Sequence, residues 1–158
     1  MRDEEAPVPP GLAHVFTIRA EIDAPRTNGP GVNGERKHIA ITGGSVEGPR
    51  LAGRILPGGS DWLWQRPDGV AEIRAHYTVE ARDGALIYVR YLGLRVAPDD
   101  VREKMIAGEP VNPPAFYFRS SPVFDAPDGP HRWLRETIFV ARLAPQAGGV
   151  VIEVFSVA

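Results

Sequence analysis

The chain of 158 residues has no cysteine, which excludes disulfides, thiolate zinc sites and cysteine nucleophiles. It has no apolar run near the ~20 residues needed to cross a bilayer. Its first residues, Met1-Arg2-Asp3-Glu4-Glu5, are acidic, where a secretory signal is basic and then apolar. Neither sign of charge is in excess: 18 Lys and Arg stand against 20 Asp and Glu, a net charge of −2, which argues against nucleic acid as a partner. The histidines His14, His38, His76 and His131 form no His-x-His or His-x-x-x-His pair, so their spacing offers no metal site. Gly53 to Gly59 is not followed by Lys-Ser or Lys-Thr, and Gly58-Gly59-Ser60-Asp61 is not Gly-x-Ser-x-Gly. A phosphate loop and a nucleophile elbow are therefore excluded. The expectation is a cytoplasmic protein with no membrane span, no metal and no cofactor.

What is present is short alternation broken by glycine turns. Residues Met1 to Pro10 combine charges with prolines and read as a flexible arm, with a single domain over 11–158. Ala13 to Ile22 alternates as a half-buried strand, with His14 on its apolar face. Asn28 to Gly34 reads as a loop. Lys37-Ile39-Ile41 starts a second strand, which Gly43-Gly44 bends or bulges. Leu51 to Leu56 reads as a third. In Val70 to Ala81, the residues Ala71, Ile73, Ala75, Tyr77 and Val79 share one face, and Glu72, Arg74, His76, Thr78 and Glu80 share the other. Asp83-Gly84 then turns the chain into Ala85 to Leu94, a hairpin signal. Pro98-Asp99-Asp100 opens the one helical segment, to about Ala107, with an Asp able to cap it and Gly108 ending it. Phe116 to Arg119, Val123 to Asp125, Trp133 to Leu143 and Val150 to Val157 read as later strands. No strand–helix alternation occurs, so a parallel sheet is unfavoured. The pattern predicts an all-β, antiparallel up-and-down barrel of eight to ten strands with one short helix.

The ordered set Ile41-Thr42-Gly43-Gly44, Gly58-Gly59-Ser60-Asp61-Trp62, Asp68-Gly69, Tyr77, Asp83-Gly84-Ala85, Tyr117-Phe118-Arg119 and Trp133-Leu134 resembles the bacterial and fungal domain-of-unknown-function family 3237. The resemblance spans about Leu12 to Val157. It implies a small barrel of calycin or allene-oxide-cyclase-like shape, which often self-associates into homodimers or higher homo-oligomers. It brings almost no chemistry.

A barrel of about eight strands holds packed side chains or one small ligand. Polar residues on apolar faces or at strand ends are therefore the candidates. Asp61 beside Trp62 either caps its turn or, with a raised pKa, moves a proton. Tyr77, on an apolar face, either bonds backbone or stabilises an oxyanion on a substrate. Arg119, next to aromatics, either binds a carboxylate or carbonyl or forms an ion pair with Asp61 or Glu72. These three are the catalytic candidates. Arg36, Trp62, Tyr117 and Trp133 are the candidates for lining the pocket. The expected function is binding of a small carbonyl-containing metabolite, with cofactor-free isomerisation, cyclisation or elimination. A non-catalytic binding barrel and a structural homo-oligomer are the alternatives.

Overall fold

The computed structural model describes residues 5–112 and 116–158, so the first four residues of the expected arm lie outside it. The strands are β1 (Leu12–Ile22), β2 (Arg26–Thr27), β3 (Glu35–Glu47), β4 (Gly53–Ile55), β5 (Gly59–Gln65), β6 (Ala71–Ala81) and β7 (Leu86–Val96). After the helix α1 (Asp99–Ile106) come β8 (Tyr117–Asp125), β9 (Phe139–Gln146) and β10 (Gly149–Val157).

Each strand pairs antiparallel with its neighbour, and β1 pairs with both β10 and β3, which closes the sheet. β4 and β5 lie end to end between β3 and β6 and together make one stave, so the barrel has eight staves. β2 hangs on the outside of β3. Residues of period two face inward: Phe16, Ile18 and Ala20 on β1, Ile73, Ala75 and Tyr77 on β6, Ile87, Val89 and Tyr91 on β7.

The two ends differ. At one end a 3₁₀ turn over Arg132–Arg135 brings in Leu134 and Trp133, and Phe16 packs edge-on against Phe124 and Trp133 with ring centroids 5.4 and 6.3 Å away. Phe139 joins the same cluster, 5.1 Å from Phe124. This end is an aromatic plug. α1 follows β7 at the other end, where its Val101 and Met105 are partly buried against the core and Arg102 lies beside Gly69. No helix among the described residues is long and apolar enough to cross a membrane.

Gly44 shows why the second strand needs glycine. Its φ is +134°, and a Cβ there would lie 2.0 Å from the Arg19 carbonyl oxygen. The pairing of β1 with β3 slips close by, between Glu21 and Ile22, where Thr42 is the extra residue of a bulge.

Four local expectations are corrected. His14 is exposed and bonds Thr17, because a register shift between His14 and Phe16 turns it off the apolar face. The strand expected over Leu51 to Leu56 shrinks to β4, since buried Leu51 anchors a connection. The strand expected from Trp133 starts only at Phe139, because Trp133 belongs to the 3₁₀ turn. The helix has Pro98 at its N-cap with no side-chain cap bond, and Asp99 instead accepts from Arg102 at 2.9 Å.

Candidate functional site

Strand register sets the order of side chains inside the barrel. One row runs Ile39, Asp61, Ala75, Tyr91 and Pro122 across β3, β5, β6, β7 and β8. Toward the plug, Tyr77 lies in register with Val89 and Phe124. Toward α1 come Ile73, Gly93 and Ser120, then Ala71, Arg95 and Phe118. Polar side chains therefore collect in the middle and at the α1 end.

Burial follows the same gradient. Phe16, Ile87, Val89 and Val154 are 0% exposed, whereas Ile39, Leu63, Tyr91 and Phe118 keep 6–7% and the inward-facing Asp61 and Arg95 are half-buried. Solvent therefore reaches part of the space around Asp61 and Arg95, while Ala71, Ile73 and Ala75 on the same rows are 0–1% exposed.

The polar atoms around that space lack partners. Asp61 Oδ1, the Tyr77 hydroxyl and Ser120 Oγ are buried without a hydrogen bond among the described residues. Such groups normally find one, so a polar ligand or water is what would complete them. Burial pushes the Asp61 carboxyl up to about 7, with the charge of Arg95 pulling in the opposite direction. Burial raises the Tyr77 hydroxyl. It also raises Tyr91, to which the negative charge of Asp61 adds. Burial lowers Arg95, and the attraction of Asp61 opposes it. The rings of Tyr77 and Tyr91 meet edge to face at 6.5 Å. The cluster can accept a proton at Asp61, donate hydrogen bonds from two phenols, and present one cation.

Of the three residues expected to act together, Asp61 and Tyr77 share the lumen and Arg119 does not. On β8 the inward positions go to Phe118 and Ser120, so Tyr117 and Arg119 face outward. Arg119 lies over the Tyr117 ring at 5.4 Å and donates to the Phe118 carbonyl at 2.9 Å, not to Asp61 or Glu72. Trp62 follows inward Asp61 and is exposed, stacked on His38 at 4.3 Å. Arg36 is also outside, over Trp64 at 4.7 Å. Trp133 lies in the plug under the guanidinium of Arg50. His38, Trp62, Trp64, Arg26, Arg36 and Arg74 border an open groove of about 420 Å³ on the outer wall, separated from the lumen by the sheet.

Arg95, Tyr91 and Ser120 were not among the candidates. Their signal was the hairpin: counting outward from Asp83-Gly84 in register places Tyr91 opposite Ala75 and Arg95 opposite Ala71, on the inward face. No group of three or more His, Asp or Glu among the described residues is placed to hold a metal.

Residues 10–157 match the family model described as Protein of unknown function (DUF3237). A UPF0311 protein of Bradyrhizobium diazoefficiens is 41% identical over 144 residues, covering 91% of this chain and 94% of that protein. The crystal structure of RPA1785 from Rhodopseudomonas palustris, a protein of unknown function, superposes with a TM-score of 0.90 at 36% identity, over 98% of this chain and 100% of that one. A β-barrel-like protein of Acinetobacter baumannii superposes with a TM-score of 0.83 at 29% identity, over 98% of this chain and 100% of that one. A protein of Penicillium herquei described as an enzyme shares the fold, with a TM-score of 0.74 at 19% identity over 98% of each chain.

Proposed function

The chain belongs to the DUF3237 family, and on that footing we propose that its barrel binds a small, partly apolar carbonyl compound and moves a proton on it with Asp61. The observation that supports this most is the unpartnered, inward-facing Asp61 carboxyl with a pKa of about 7, beside two buried phenols. A base titrating near neutrality is suited to taking a proton from carbon next to a carbonyl. The electron pair of the broken C–H bond moves onto the carbonyl oxygen, giving an enolate. The hydroxyls of Tyr77 and Tyr91 stay protonated because burial raises them, and they donate to that oxygen. Return of the proton from Asp61 to another atom completes an isomerisation, and loss of a β-substituent completes an elimination. Both use the chain's own acid–base groups. The Penicillium herquei protein is described as an enzyme, so the shared fold is compatible with catalysis.

The test is α-proton exchange in D₂O, followed by NMR, on phenylpyruvate and 4-phenyl-2-butanone. The wild type is expected to accelerate exchange of at least one. Asp61→Asn is expected to lower that rate about 10²- to 10⁴-fold while ligand binding survives. No acceleration by the wild type, or equal rates in the variant, contradicts the reading.

The outer face of β7 supports a second element, self-association. Leu86, Leu92, Leu94 and Val96 are exposed there, next to Tyr117 and Val123 of β8. Arg90 and Asp125 on the same face supply both signs, so a copy turned by a two-fold axis can pair unlike charges.

A further inference from the structure

We infer that the lumen is selective for a small organic acid, whose anionic oxygen is anchored by Arg95 at the α1 end while its other oxygen reaches Asp61 and the two tyrosines. This deepens the proposed proton-transfer reading and rests on the same lumen.

Three observations carry it. Arg95 faces inward and is half-buried, yet it has no ion pair within 4.0 Å among the described residues. Its described neighbour is the apolar ring of Phe118, 5.9 Å away. A half-buried guanidinium without a carboxylate partner is open to an anion, and a bidentate one is its best complement. Next, Asp61 and Arg95 act on one another's charge without forming an ion pair within 4.0 Å. Finally, Ser120 Oγ is buried and unpaired beside Gly93, a further donor for an oxygen held there.

The charge balance gives the pH dependence. The groups facing Asp61 are Tyr77 from β6 and Tyr91 and Arg95 from β7, while β3 supplies Ile39 and Ile41. Lys37, on the Ile39 face of β3, is already paired with Glu35 at 3.8 Å. When Asp61 is protonated, Arg95 is left as an uncompensated cation. When Asp61 ionises, the lumen is neutral. Affinity for an acid should therefore rise as pH falls through about 7, by roughly tenfold between pH 8 and pH 6.

The experiment is calorimetric titration of the full chain with phenylpyruvate and 4-hydroxyphenylacetate, each beside its methyl ester. The wild type is expected to bind each acid at least tenfold more tightly than its ester. Arg95→Met should remove that preference and Arg95→Lys should restore most of it, with near-UV circular dichroism confirming the fold of both. Asp61→Asn should bind the acids at pH 8 as tightly as the wild type does at pH 6, although its exchange activity is lost. Acids and esters binding equally, acids failing to bind, or acids binding Arg95→Met as well as the wild type would each overturn the inference. Those results leave the role of Asp61 in exchange to its own test, so the two readings fail separately.

Discussion

Asp61 is costly to the fold, and that cost has a definite sign. Its folded pKa of about 7 lies above the ordinary 3.8. The folded state therefore holds the proton over a pH range in which the unfolded chain releases it. Stability is greatest below the unfolded value and is lost as pH rises through the folded value. A shift of this size corresponds to up to roughly 4 kcal/mol. Asp61→Asn carries no such charge. Its melting temperature is predicted to exceed that of the wild type at pH 8, and the difference is predicted to shrink steadily toward pH 5. Parallel thermal unfolding across that range checks it, and a constant difference would mean that Asp61 is ordinary. The sequence made Tyr77 visible as a polar residue on an apolar strand face, and Asp61 as a carboxylate beside an indole at a strand end. It hid the choice between turn cap and lumen acid, because Asp-Trp after two glycines suits either.

β7 shows both faces of the same argument at the level of an element. Its inward residues Tyr91, Gly93 and Arg95 belong to the lumen, and its outward residues Leu92 and Leu94 to the exposed apolar row. Alternation made both rows legible, but ending the strand at Leu94 left out Arg95, which is the cation of the site. On β8 the same period-two rule worked against the expected site. Tyr117 and Arg119 have the right chemistry and the wrong parity, and parity depends on whether Phe118 or its neighbours face the core. His14 failed for the related reason that one bulge reverses parity, and nothing in the sequence marks that bulge. The outer row makes a prediction of its own. Replacing Leu92 and Leu94 together by Glu should convert a self-associating wild type to a species of one-chain mass in sedimentation velocity. The lumen should be unaffected, because both side chains point away from it. A wild type that already sediments as one chain would remove the interface.

The whole molecule is a barrel with one packed end and one accessible end. The aromatic plug of Phe16, Phe124, Phe139 and Trp133 packs one end, while the inward polar side chains of Asp61, Tyr91, Arg95 and Ser120 lie in the middle and toward the other. All-β architecture and the glycine turns were readable from period and turn chemistry. The barrel was expected as well, from the strand pattern and the family resemblance, and the pairing of β1 with β3 and β10 closes it; the split stave of β4 and β5 and the difference between the ends were not expected, since each depends on pairings between residues far apart in sequence. The account as a whole depends on a lumen carboxyl that titrates near neutrality. The most direct measurement is a pH titration of the ¹³C-labelled Asp61 carboxyl by NMR, using Asp61→Asn to assign the signal. A midpoint near 7, shifting further when Arg95 is replaced by Met, is the predicted result. A midpoint near 4, the value of a solvated aspartate, would mean that the carboxyl is hydrated and that the lumen is not the proton-transfer site described here.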